Sequence, residues 1–190
     1  ARPGGGAALT ALATDAASPA IVRASALAQV RPYLSATTLP AIEAGAGDPD
    51  PMVRGAAMDA LLPAPPQERV RIAAGLIDDP SRIVRIKAAR ALAIAPNDGM
   101  APSMRARVDK IFAEYVASQR ANADRPEAHL NLGLFHSNRR DPVAAESSYR
   151  AAIALAPDFT PANLNLADLY RTYSREADAE ASLAAGLLQA

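Results

Sequence analysis

Residues 126–157 read PEAHLNLGLFHSNRRDPVAAESSYRAAIALAP, and the pattern that opens at Pro126 restarts at Thr160 as TPANLNLADLYRTYSREADAEASLAAG. In each copy, small, apolar and aromatic residues recur where two adjacent helices have to touch. A fixed period of this length marks a stacking unit that buries its apolar face only against its neighbours. The stretch therefore predicts an all-α chain built from antiparallel helix pairs, with no role as a catalytic loop.

A second, slightly shorter period precedes it. The step from Val22-Arg23 to Val53-Arg54 is repeated without change from Val53-Arg54 to Val84-Arg85. Each pair follows a turn signal: Ser18-Pro19, Asp48-Pro49-Asp50-Pro51, or Asp78-Asp79-Pro80-Ser81. There Ser or Asp is expected as the N-cap, and Pro at the first helical position sacrifices no hydrogen bond. Ala26, Ala57 and Ala88 lie one turn beyond the valines on the same face, and Leu61 and Leu92 extend it toward a core. Shorter apolar helices are expected before each: Ala8 to Ala13, then Leu39, Ile42 and Ala46, then Val70, Ala73 and Ile77. Arg23, Arg54 and Arg85 would form a ladder paired with the turn residues Asp48, Asp50 and Asp79, with Arg82, Lys87 and Arg90 thickening the third unit.

The domain reading follows from these periods. Residues 1–6 form a glycine-rich lead-in, 7–95 three units of the shorter period, and 96–102 a breaker rich in Pro and Gly. Residues 103–121 form a joining helix with an apolar stripe of Val108, Ile111, Phe112, Tyr115 and Val116 that caps the following pairs. Residues 126–190 form two units of the longer period, the second lacking its end. In these units Gly133 and Ala167 let helices approach, Tyr149 and Leu183 fill the wedge toward the neighbouring pair, and Ala145 and Ala152 keep the crossing tight. The last pair invites self-association through Leu183, Leu187 and Leu188.

Composition narrows the function. Lys plus Arg and Asp plus Glu are 20 each, so no net field draws the chain to nucleic acid. Of the basic residues 18 are Arg. With no cysteine, thiolate metal sites, cysteine nucleophiles and thioether-linked haem are excluded within this chain. No apolar run reaches a membrane span. The chain opens on Ala1 and ends within a unit, and reads as a piece of a longer protein.

Residues able to carry chemistry are sparse. His129 and His136, seven apart on one helix, are separated by about 10.5 Å along its axis, too far for a ligand pair, and are expected to pack. Ser137, Ser147 and Ser148 lack a nucleophile elbow, no phosphate-cradling glycine loop is present, and Glu43, Asp48, Asp50, Asp78 and Asp79 are read as turn and capping carboxylates. These features predict no enzyme activity, no metal and no cofactor in this chain.

The residues resemble known families. The shorter units are similar to the short variety of HEAT repeat, and Leu132-Gly133, Ala145, Tyr149, Ala152 and Pro157, matched by Leu166-Ala167, Ala179, Leu183 and Gly186, resemble the tetratricopeptide repeat, with His129 and His136 in place of its Trp and Tyr. The resemblance implies an α-solenoid, HEAT-like then tetratricopeptide. It also implies a peptide-binding groove in which Asn131 and Asn165, one period apart, clamp a ligand backbone, each amide offering one donor and one acceptor. Leu130, Leu134, Asn138, Asp168, Arg171 and Arg175 would line it, the arginines meeting an acidic group. The order of units, with the joining text ASQRANADRPEAHLNLG, is similar to the carboxy-terminal region of bacterial multihaem c-type cytochromes. That likeness implies an extracytoplasmic appendage of an electron-transfer protein whose haem lies outside this chain. A HEAT-like lyase acting on a bilin is the enzymatic alternative. The expected function is a non-catalytic scaffold that holds a protein or peptide, or other domains of its parent chain.

Overall fold

A computed structural model describes residues 4–96 and 100–188; the side chains of Leu187 and Leu188, assigned above to self-association, lie outside that description. The described residues form helices and turns, with no strand among them. They divide into two compact units, 1–115 and 116–190.

In the first unit, α1 (Gly5–Thr14), α2 (Ala20–Val30), α3 (Leu39–Ala46), α4 (Pro51–Leu61), α5 (Pro66–Ala73) and α6 (Arg82–Leu92) follow in order, with short 3-10 turns after α2 and α5. α1 packs on α2 and α3, α2 on α4, α3 on α4 and α5, and α4 and α5 on α6. The expected stripe is buried in the second and third pairs, at Val53, Val84, Ala57, Ala88, Leu61 and Leu92; in the first Ala26 is buried but Val22 is 37% exposed, because no earlier pair packs on it.

Helix starts depart from the sequence reading in two cases of three. Asp50 caps α4, its carboxylate accepting the Met52 N–H. Ser81 stands at the N-cap of α6 but its side chain makes no capping bond, and α2 follows Pro19, with Ser18 one place outside. Ser18 donates its hydroxyl to Asp15 instead, and Ser81 gives its N–H to Asp79. The Ser18 hydroxyl and the Ser81 N–H are taken up by the aspartates that precede them.

The arginine ladder forms. Arg23 donates through Nε to Asp48 Oδ2 at 2.8 Å and through Nη2 to Oδ1 at 2.9 Å. Arg54 makes the same fork to Asp79, at 2.6 and 3.0 Å. Arg85 repeats it at 3.0 and 3.1 Å, but its acceptor is Glu114. The third nitrogen of each guanidinium, Nη1, donates back to carbonyls ahead of its own helix, Ser18, Asp48 and Pro49, or Asp79 and Pro80. Each arginine thus fastens one pair to the next with a planar fork that only guanidinium supplies. Asp50 is no rung of it: its carboxylate caps α4 and acts on Arg23 and Arg54 only through its charge, while Glu43 lies within α3, holding Arg71.

Glu114 belongs to α7 (Pro102–Arg120), whose buried residues are Val108, Ile111, Phe112 and Tyr115. The division between units therefore falls within this helix, between Tyr115 and Val116, whereas the sequence places the break in the 96–102 segment, of which 97–99 lie outside the described residues. Proline and glycine interrupt the pattern there, but burial of the α7 stripe and the Arg85 fork carry the first unit on to Tyr115. The glycine lead-in is shorter than expected as well, because Gly5 and Gly6 open α1. A Cβ on Gly5 would stand 2.6 Å from the Tyr33 hydroxyl, so the ring lies on the bare backbone.

In the second unit α8 (Pro126–Asn138), α9 (Pro142–Leu155), α10 (Thr160–Thr172) and α11 (Glu176–Leu188) follow. α8 packs on α9, α9 on α10, α10 on α11 and α8 on α10. The turns inside the two pairs are the same object. Arg140 and Ser174, one period apart, both take left-handed φ values, 59° and 57°. Asp141 N–H bonds His136 carbonyl in one and Arg175 N–H bonds Tyr170 carbonyl in the other, the six-residue closure of a Schellman motif.

Candidate functional site

Packing between α8 and α9 decides which residues of the second unit are left at its surface. A Cβ on Gly133 would lie 2.3 Å from Tyr149 Cε1, so the tyrosine ring rests on the glycine backbone. Tyr149 is 1% exposed, and burial pushes its phenol up to about 12. Ala145, Tyr149, Leu166, Ala167, Leu169, Tyr170 and Ala179 form one core, with Leu130, Leu134, Ile153 and Leu183 packed on its edge. Tyr149 therefore both seats its own pair and reaches the next. Leu183 packs on this core, as its wedge position leads one to expect, and is to that extent withdrawn from self-association.

The two predicted asparagines occupy the same register on helices in contact, each partly buried. Their amides are engaged differently. Asn131 Nδ2 donates to Gln119 Oε1 of α7 at 3.1 Å, and Gln119 Nε2 in turn donates to Ser118 Oγ. Asn165 Nδ2 donates to the Pro161 carbonyl of its own helix at 2.7 Å. Gln119 escaped the sequence reading because it lies in the joining helix, outside either copy of the longer pattern.

The remaining predicted residues fall into three groups. Leu130 and Leu134 border the asparagines but are half-buried in the core edge, while Leu164, the register mate of Leu130, is 49% exposed. Asn138, Asp168 and Arg171 are exposed, and Arg171 Nη1 makes an i,i+3 pair to Asp168 at 3.4 Å. Arg175 is held by Glu146 at 2.8 Å and Asp178 at 2.7 Å, with its guanidinium 4.3 Å from the Tyr170 ring centroid. These two carboxylates raise its pKa, the Asp178 bond first. Glu146, which also accepts from Arg150 and the Tyr170 hydroxyl, is the hub joining α9, α10 and the turn ahead of α11, and sequence spacing gave no sign of it.

The histidines are structural in their contacts. His129 Nε2 is 2.9 Å from the Ala123 carbonyl, and His136 meets the Phe135 ring edge-on, burial lowering its pKa. Among the described residues no group of three His, Asp or Glu side chains is placed to hold a metal. No described helix is long and apolar enough to cross a membrane.

No family model, curated protein or solved structure matches the chain.

What the α8 and α10 surface can do chemically follows from its groups. Two carboxamides, an exposed leucine and the exposed Arg171–Asp168 pair offer hydrogen bonds, apolar contact and a cation whose carboxylate partner is weakly held in water.

Proposed function

We propose that the chain is a non-catalytic interaction scaffold, an α-solenoid of HEAT-like pairs followed by tetratricopeptide-type pairs, which holds a peptide along the α8 and α10 face of its second unit. The observation that carries the reading is the pairing of Asn131 and Asn165 at one register on two touching helices. Their amide protons are engaged by partners that a ligand can replace. A half-exposed amide-to-amide bond such as Asn131 to Gln119 is worth about 1 kcal/mol net, and a peptide unit offers the same donor and acceptor in return. Leu164 supplies an apolar seat and Arg171 a cation for an acidic side chain. Arg175 is the weakest of the proposed groove residues, because a ligand would have to displace two carboxylates.

The test is selection of random displayed peptides on the immobilised full chain, followed by titration of the recovered peptides against Asn131→Ala/Asn165→Ala. Affinity is expected to fall at least about tenfold, with helicity unchanged. Recovery of no peptide, or equal affinity for the double variant, removes the reading.

A further inference from the structure

The first helix pair carries a face that the next two pairs keep covered. Three positions before the turn aspartates Asp15, Asp48 and Asp79 stand Leu12, Gly45 and Leu76; Leu12 is 44% exposed, Gly45 is buried and Leu76 is 7% exposed. In the second helices Val22 is 37% exposed, while its register mates Val53 and Val84 are at 0%. The contrast is confined to this side. Ile21, Met52 and Ile83, one position earlier, are exposed in all three pairs, at 59, 49 and 53%. What covers the face in the interior is the preceding pair: Leu27 of α2 lies so close to Gly45 that a Cβ there would meet it at 2.6 Å. On the first pair the same place is an open, mostly apolar hollow of about 310 Å³ bordered by Leu9, Leu12, Val22 and Ala26, with Ile21, Ser25 and Gln29 along its outer edge.

The polar half of the interface is also incomplete at that end. Asp48 and Asp79 each accept the N–H two positions on through Oδ1 and an arginine of the preceding pair across both oxygens. Asp15 makes the same backbone bond, from Ala17 N–H at 3.0 Å. Its Oδ2, the oxygen that takes the arginine Nε at the other two, accepts the Ser18 hydroxyl at 2.7 Å instead. A neutral hydroxyl thus stands where two charged forks stand elsewhere.

We propose that this face binds one more helix pair of the same kind, which lays an apolar side chain over Leu12 and Val22 and an arginine fork on Asp15 in place of Ser18. The occupant is fixed by continuity: the Leu12, Val22 and Asp15 surface is the one that each following pair turns to its predecessor, with the same apolar patch and the same turn carboxylate.

The experiment uses the full chain with a copy of residues 36–64 placed directly ahead of Ala1. This sets the copied arginine 25 residues before Asp15, the separation of Arg23 from Asp48 and of Arg54 from Asp79. Amide exchange in α1 and α2 is expected to slow about tenfold or more. Asp15→Asn and replacement of the copied arginine by Ala should each lose that protection, and together lose no more than either alone. Val22→Glu should leave the unextended chain at its original melting temperature while detaching the added pair from the extended one. Unchanged exchange, additive losses, or a Val22→Glu change that costs the unextended chain its stability would each overturn the proposal. A dimer of the unextended chain dissolved by Val22→Glu would do so too, since a second copy would then be the occupant.

Discussion

Arg54 grips Asp79 with both arms of its guanidinium, Nε to Oδ2 and Nη2 to Oδ1, across the same 25 residues that separate Arg23 from Asp48. The side chains are 12% and 3% exposed, so the pair is largely out of water and its charges depend on each other.

Arg54→Ala should therefore cost about 2–3 kcal/mol, between the values for surface and fully buried pairs, because it strands the Asp79 carboxylate. Arg54→Lys should recover less than half, since an ammonium cannot make the fork and also reach the Asp48 and Pro49 carbonyls. Urea unfolding of the two variants checks this; near-wild-type stability of the lysine form would mean that charge alone suffices.

Acid should unfasten the same rungs. The Arg23 bond holds the Asp48 carboxyl below its ordinary value against the opposing effect of burial. At Asp79 burial pushes upward, but the Arg54 fork and the Ser81 N–H outweigh it. Carboxylates that titrate lower in the folded chain stabilise it fully above their unfolded value near ~3.9, and that stability is lost as pH falls through the folded value. Melting temperature should thus drop steeply below about pH 4, and Asp48→Asn/Asp79→Asn should be less stable at pH 7 with a shallower acid limb. Parallel limbs for the two proteins would exclude these groups as its origin.

Gly133→Ala should destabilise the second unit by about 1–3 kcal/mol, because the added methyl lands inside van der Waals contact of a tyrosine ring with no room to withdraw. Combining it with Tyr149→Leu should cost less than the sum of the two single changes. Additive losses in a thermal melt would show that the ring and the glycine do not meet.

Arg140→Gly and Ser174→Gly should each stabilise by about 0.5–1 kcal/mol, since both residues hold left-handed φ at a helix C-terminus where a Cβ is disfavoured. Alanine at either site should leave stability unchanged or lower. A loss on glycine substitution would show that these side chains contribute more than their backbone strain removes.

The turns inside the pairs were not legible in the sequence for this reason. NRRD and YSRE contain no glycine, so nothing advertised a positive φ, yet the closure is imposed once α8 and α9, or α10 and α11, must lie side by side. The acceptor Glu114 is another case. Turn aspartates were the expected partners of all three arginines, but the third rung reaches a helix, and only the approach of α7 reveals it. Gln119 on Asn131 and Glu146 on Arg175 are similarly contacts between residues whose separation obeys neither period.

The sequence by itself determined the helical class, the two repeat spacings, most of the residues that turn inward, and two of the three arginine rungs, Arg23 on Asp48 and Arg54 on Asp79. It could do so because helix geometry places residues three and four apart on one face, and a repeated pattern repeats the same burial. Only the tertiary structure decided where the first unit ends, which helix starts are capped, which polar groups are already engaged, and that the first pair leaves Leu12, Val22 and Asp15 uncovered. Those depend on how closely separate helices approach, and distance in space between side chains far apart in the chain is not written in the spacing of either one.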